Sequence, residues 1–103
     1  MRLDRSWFTH AMALLTDATV LTRRPTVIGT EVGGTVVLLD EHDGFLELNP
    51  VGAEIWEIIA QPTPVSALIL ALTHTFGVDE PTVRRDVLPF IDTLVEKGLA
   101  SAQ

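Results

Sequence analysis

The reading of the whole chain turns on Val36–Ala60, VVLLDEHDGFLELNPVGAEIWEIIA. Val36–Leu39 is an apolar run rich in β-branched residues, which favours an extended strand. Asp40, Glu41, His42 and Asp43, closed by Gly44, form a polar turn whose glycine tolerates positive φ. Phe45–Leu48 is the return strand, so the two runs make a hairpin with a longer loop. Asn49-Pro50 then ends the strand and starts a helix in one step. Asn is a favoured N-cap, and Pro suits the first helical position, where its missing N–H costs nothing. Ile55, Ile58 and Ile59 share one face of that helix, with Trp56 beside them. A hairpin joined to a helix without a linker fixes the angle between sheet and helix.

Working upstream, Val20-Leu21 and Arg23-Arg24-Pro25 precede a better strand, Thr26–Val32. Pro25 keeps any earlier strand at an edge or splits it. Gly33-Gly34 is a strong turn signal. Thr26–Val32, Thr35–Asp40 and Phe45–Leu48 are therefore predicted to form a three-stranded antiparallel meander.

Downstream, Gln61-Pro62-Thr63-Pro64 reads as a loop, with Thr63 as N-cap and Pro64 as the first helical residue. Val65, Leu68, Ile69, Leu72 and Phe76 recur at helical spacing, and Gly77 ends that helix. Asp79 caps a third helix with Pro81 in its first turn, and Val83, Val87, Phe90, Ile91, Leu94 and Val95 form its buried stripe. Pro89 removes one backbone hydrogen bond, but the stripe runs unbroken across it, so one bent helix is expected. Gly98 stops it, and Leu99 tucks back onto the core. The order β-β-β-α-α-α points to an α+β fold, a three-stranded antiparallel sheet followed by three helices on one face. The same elements describe a winged helix-turn-helix-like arrangement.

The chain has 103 residues, 47% of them hydrophobic, enough for one domain with its own core. That domain is placed at residues 19–103, after an N-terminal segment 1–18. Phe8, Met12 and Leu15 lie at i, i+4 and i+7, compatible with a short helix packed on the domain or on a second copy. An upstream extension before a start at Met12 fits equally. The net charge of −7 argues against nucleic acid, whose phosphates need a basic footprint, and against an anionic membrane. With no cysteine in the chain, disulfides, zinc–thiolate sites and thiol nucleophiles are excluded, and a cytoplasmic location is expected. No apolar run approaches the ~20 residues that span a bilayer. Arg2 and Arg5 are present, but Asp4, Thr9 and His10 interrupt the stretch, which lacks a signal-peptide core.

Catalysis needs converging groups, and none is evident. His10, His42 and His74 sit on different elements without an HxxxH or HxH neighbour. The Asp40-Glu41-Asp43 loop is too short for an EF-hand and lacks its terminal glutamate. Glu54 and Glu57 lie on an outer helix face. No GxGxxG, GxxxxGK[ST] or GxSxG occurs, so no enzyme, metal or cofactor is expected. Arg84-Arg85 are surrounded by Asp79, Glu80 and Asp86, a solvated face rather than a phosphate-binding one. Trp56 reads as core. What remains is an open sheet edge: Phe45–Leu48 is short, apolar and free of proline, and an extended peptide can add to such an edge. On spacing alone the plainer reading, an edge protected by twist and shortness, is preferred.

The series VVLLD, GFLELNPVGAEIWEII, TPVSALILALTHTFGVD and VRRDVLPFIDTLVEKGL resembles the PqqD-like family, the peptide-binding domains called RiPP recognition elements. The resemblance covers roughly residues 26 to 99. Within the family, the pattern LN-x-x-G-x-x-I-W, Leu48 to Trp56, looks most like the stand-alone B1 proteins of lasso-peptide biosynthesis. The resemblance implies a non-catalytic adaptor: the leader of a ribosomally made precursor adds as a strand and lies between that strand and the third helix. Carried onto this chain, the strand is Phe45, Leu46, Glu47 and Leu48, and the facing helix contributes Arg84, Val87, Leu88, Ile91 and Asp92. Leu88 lies off the buried stripe, and Arg84, Leu88 and Asp92 line up at i, i+4 and i+8. The implied partners are the precursor leader and a leader peptidase of the B2, transglutaminase-like type. Rival readings are a PqqD-type peptide chaperone in pyrroloquinoline-quinone biosynthesis, a winged-helix DNA-binding regulator opposed by the net charge, and a module that forms a homodimer through its N-terminal segment.

Overall fold

The computed structural model describes residues 15–39 and 44–103. The Phe8–Met12 part of the N-terminal stripe, His10, and Asp40, Glu41, His42 and Asp43 of the hairpin loop lie outside the described residues.

The hairpins form as their turn residues dictate. Strand β2 (Ile28–Val32) pairs antiparallel with β3 (Thr35–Leu39). Gly33 (φ 60°) and Gly34 (φ 85°) close the pair, both in the left-handed region that a tight hairpin turn requires. Strand β4 (Phe45–Leu48) pairs antiparallel with β3, from Val36↔Leu48 to Leu39↔Phe45. The sheet order β2-β3-β4 leaves β2 and β4 as its edges. The meander is thus as expected, except that its first strand begins at Ile28 rather than Thr26. The Val27 N–H closes a turn onto the Arg24 carbonyl, 3.2 Å away, and this takes Thr26 and Val27 out of the ladder.

A second three-stranded sheet, β5-β1-β6, was not expected. Strand β1 (Val20–Arg23) lies between β5 (Thr63–Pro64) and β6 (Ala100–Ala102), antiparallel to both. The sheet joins three distant parts of the chain, and its strands are too short to show an alternating pattern. The Val20 N–H donates to the Gln103 carbonyl and the Gln103 N–H to the Val20 carbonyl, each at 2.9 Å.

Two of the three described helices start at the caps written in the sequence. Helix α1 (Pro50–Ile58) starts at Asn49, whose Oδ1 accepts from the Gly52 N–H at 2.7 Å. Helix α3 (Glu80–Glu96) starts at Asp79, whose carboxylate accepts from the Thr82 N–H at 3.3 Å. It continues through Pro89 as one helix. At its end Gly98 takes φ 74°. The Gly98 N–H then reaches the Val95 carbonyl at 3.0 Å, and the Leu99 N–H reaches the Leu94 carbonyl at 2.8 Å. This is the paired C-terminal bonding that glycine enables, with Leu94 and Leu99 both buried beside it.

Helix α2 (Val65–Phe76) ends at Gly77 as expected but departs from expectation at its start. Pro64, not Thr63, is its cap residue, and no side chain caps it. Pairing with β1 draws Thr63 and Pro64 into β5, and the Thr63 hydroxyl donates back to the Ile58 and Gln61 carbonyls. The first turn is instead satisfied by backbone: the Val65 N–H donates to the Thr19 carbonyl and the Ser66 N–H to the Asp17 carbonyl. Phe76, expected in the buried stripe, is exposed at the helix's last turn, just before Gly77 in the left-handed conformation.

The core lies between the helices and the inner face of β2-β3-β4. Leu38 and Leu48 of the sheet meet Ile55, Trp56 and Ile59 of α1, Leu68, Ile69 and Leu72 of α2, and Val87, Ile91 and Leu94 of α3. Trp56 is core, as expected, and the sheet rests on it. A Cβ at Gly29 would lie 3.1 Å from the indole Nε1. Arg23 covers the indole, 5.3 Å from its centroid, and donates to the Trp56 carbonyl at 3.2 Å. Replacing Asn49 with alanine leaves the first turn of α1 without its side-chain acceptor. Urea denaturation of Asn49→Ala should show a loss of about 1 kcal/mol in unfolding free energy, with an unchanged m-value.

Candidate functional site

Strand β4 is an edge with no further described strand beside it. Its residues alternate as a strand must. Leu46 and Leu48 turn inward, whereas Phe45 and Glu47 are exposed on the outer face.

Helix α3 passes this edge, and two cavities lie along the passage. One, of about 140 Å³, is lined by Leu38, Gly44, Phe45, Leu46, Lys97 and Leu99, where the start of β4 meets the end of α3. The other, of about 290 Å³, is lined by Asn49, Val51, Gly52, Ile55, Asp86, Val87 and Phe90, where the end of β4 leads into α1 and meets the middle of α3. Strand and helix therefore run in opposite senses along the groove. Gly52 lets the two helices approach, since a Cβ there would come within 3.2 Å of Phe90 Cζ. A polar recess of about 370 Å³ lies at the other edge, lined by Arg23, Arg24, Glu31, Trp56 and Glu57 among others, away from β4.

An α-helix turns about 100° per residue, which divides the residues of α3 expected at the site. Val87 and Ile91 are buried on the core face, and Val87 also lines the larger cavity. Arg84, Leu88 and Asp92 fall on the flank opposite the one that carries Asp86, Phe90 and Lys97. The structure thus brings Phe45, Leu46 and Val87 to the cavities, but not Arg84, Leu88 or Asp92. Arg84 is held elsewhere, by Asp17 at 2.8 Å and Glu80 at 2.8 Å. Leu88 is half-buried against the core. Lys97 lines the smaller cavity with Phe45 and Leu46, and Asp86 and Phe90 line the larger one against the start of α1. Helical phase places these three on one flank, but only the Phe90–Gly52 approach singles that flank out.

The charges follow these contacts. The hydrogen bond from Arg84 holds the Asp17 carboxyl below the usual carboxylate range, and Arg84 is in turn raised by Asp17 and then Glu80. Thr82 lowers Asp79 through its hydroxyl and its N–H. Asp92 moves the other way: partial burial, and then the Glu96 carboxylate one turn on, push its carboxyl up. His74 is exposed.

The family model described as Coenzyme PQQ synthesis protein D (PqqD) matches residues 35–100, from β3 to the first residue of β6. Among solved structures the chain is similar to the one described as TbiB1 in complex with the TbiA(beta) leader peptide. Identity is 27% and the TM-score 0.69, over 78% of this chain and 94% of that one. It is also similar in fold to the solution structure of the PqqD truncation of Methylobacterium extorquens PqqCD, described as a stand-alone recognition element for ribosomally synthesised, post-translationally modified peptides. There the identity is 17% and the TM-score 0.73, over 87% of this chain and 97% of that one. No curated protein sequence matches.

A raised folded-state pKa at Asp92 means that its ionised form opposes folding. The penalty is present at neutral pH and disappears once both states are protonated. Asp92→Asn should therefore melt above the wild type at pH 7, and the two curves should converge below about pH 3.5. Thermal melts monitored by circular dichroism across that range check this.

Proposed function

This chain belongs to the PqqD family, and on that premise we propose that it captures the leader peptide of a ribosomally made precursor by strand addition to β4. It acts as a non-catalytic adaptor that delivers the precursor to a separate maturation enzyme, a leader peptidase of the B2, transglutaminase-like type. The observation that carries this reading is an open strand edge, Phe45–Leu48, with cavities at both ends against one flank of α3. The likeness to TbiB1, described with its leader peptide bound, supports it. The winged helix-turn-helix-like comparison belongs to the same reading, with α2 and α3 as the helix pair and the β2-β3-β4 hairpins as the wing.

Magnitudes locate the specificity. A four-residue edge directs two residues' N–H and C=O groups outward, roughly four ladder bonds at ~1 kcal/mol net each. Ordering a disordered leader costs ~2–5 kcal/mol. Backbone pairing is thus roughly cancelled, and affinity must come from side chains. An apolar side chain buried in either cavity contributes ~1.5–3 kcal/mol. The residues assigned to the site are Phe45, Leu46, Glu47 and Leu48 on the strand and Asp86, Val87, Phe90 and Lys97 along the helix.

Titrating the labelled leader of the cognate precursor, identified as a short open reading frame in the gene's neighbourhood, should give saturable binding at about 50 µM or tighter by fluorescence anisotropy. Its absence would remove the reading. Backbone N-methylation of that leader at successive positions should weaken binding about tenfold or more at alternate residues only, because every second N–H joins the ladder. Phe90→Asp should abolish binding, whereas Leu88→Glu, on the opposite flank, should leave it within about twofold, with circular dichroism confirming that both variants are folded.

A further inference from the structure

The outer face of β2-β3-β4 carries an apolar row that the groove does not use. Ile28, Leu39 and Phe45 are paired in register across the three strands, Ile28↔Leu39↔Phe45. They are 61%, 44% and 68% exposed. The next outward row is Thr30↔Val37↔Glu47. The row ends at Phe45, on the edge where the proposed peptide adds. Glu47 lies two residues along the same edge and has no ion-pair partner among the described residues.

We infer that the captured peptide is read on its outward face as well as in the groove, by Phe45 and Glu47, and that its strand carries a cationic residue two positions before an aromatic or β-branched one. This rests on the strand-capture reading above and specifies its ligand. Side chains alternate along a strand, so a peptide whose odd residues enter the groove must place its even residues on the outer face. The residue opposite Phe45 becomes the fourth member of the Ile28–Leu39–Phe45 row. Cross-strand neighbours there stand ~4.5–5.5 Å apart at Cβ, where aromatic and β-branched side chains pair favourably. The outward residue opposite Glu47 completes an opposite-charge pair.

Direction sets the order. Each strand pairing in both sheets is antiparallel, the arrangement with the straighter and slightly stronger ladder. In an antiparallel addition the residue opposite Glu47 comes two positions before the one opposite Phe45. The outward code is therefore Lys or Arg, then any residue, then an aromatic or β-branched residue. The intervening residue points at α3.

The test is selection of displayed, randomised linear peptides on the full chain and on its Glu47→Lys variant. Glu47 is exposed and outward, so this change leaves the core untouched; thermal melts confirm the fold. The wild type should enrich peptides with Lys or Arg two positions before an aromatic or β-branched residue. Glu47→Lys should keep the apolar preference and exchange the cation for Asp or Glu. A synthetic peptide with the wild-type code should bind the wild type about threefold or more tightly than its Lys→Glu sibling, and the order should reverse on the variant. Peptides selected with the same charge preference on both proteins, or with the cation after the apolar residue, would overturn the outward code while leaving strand capture standing. Selection of no peptide by either protein would overturn strand capture and this inference with it.

Discussion

One hydrogen bond organises the site: the 2.7 Å contact from the Gly52 N–H to Asn49 Oδ1. It closes the first turn of α1 at the residue after β4 ends, so strand and helix share a single hinge with no slack. Pro50 removes an N–H that the helix start would otherwise leave unpaired. The bond also holds Gly52 where no Cβ intervenes, and Phe90 of α3 fills that space. The edge strand and the long helix share the core through Leu48, Val87 and Ile91, and cavities remain beside them at both ends of β4.

The second sheet supplies the frame on which this groove is held. β1 lies between β5, just before α2, and β6, just after α3, so both helices are pinned at an end to the same strand. Backbone carbonyls of Asp17 and Thr19 satisfy the first turn of α2, and the Asp17 side chain pairs with Arg84 of α3. One flank of α3 is thus engaged through Arg84 and Leu88, while Asp86, Phe90 and Lys97 on the other line the two cavities. This division explains why Arg84 and Leu88 serve the fold while Asp86, Phe90 and Lys97 line cavities. Among the described residues the other sheet face is uncovered, with its apolar row ending at the β4 edge.

Much of the fold was legible because it is written locally. Gly33-Gly34, Asn49-Pro50, Asp79, Gly77 and Gly98 each fix a turn or a helix end through their own backbone geometry, and the structure places all of them as the sequence indicated. The failures lie where distant backbone competes with local preference. Thr63 is a good cap by type, yet pairing with Val20-Leu21 draws it into a strand. The Ala-Ser-Ala strand at the end has little intrinsic preference to be extended; β1 imposes it.

Legible in the sequence were the β2-β3-β4 meander, the three helices after it, the two-residue turn at Gly33-Gly34 and the apolar faces that make the core. Those follow from dihedral preferences and from periods of two and 3.6 residues, which act within a few residues. Which flank of α3 lines the cavities was set by contacts that the sequence does not display. Arg84, Leu88 and Asp92 and the set Asp86, Phe90 and Lys97 are equally regular in the sequence. The choice was made by the Phe90–Gly52 approach on one side and the Asp17–Arg84 pair on the other, contacts between residues far apart in the chain. Periodicity defines a helix's faces, but the direction each face points is set by what the rest of the chain packs against it.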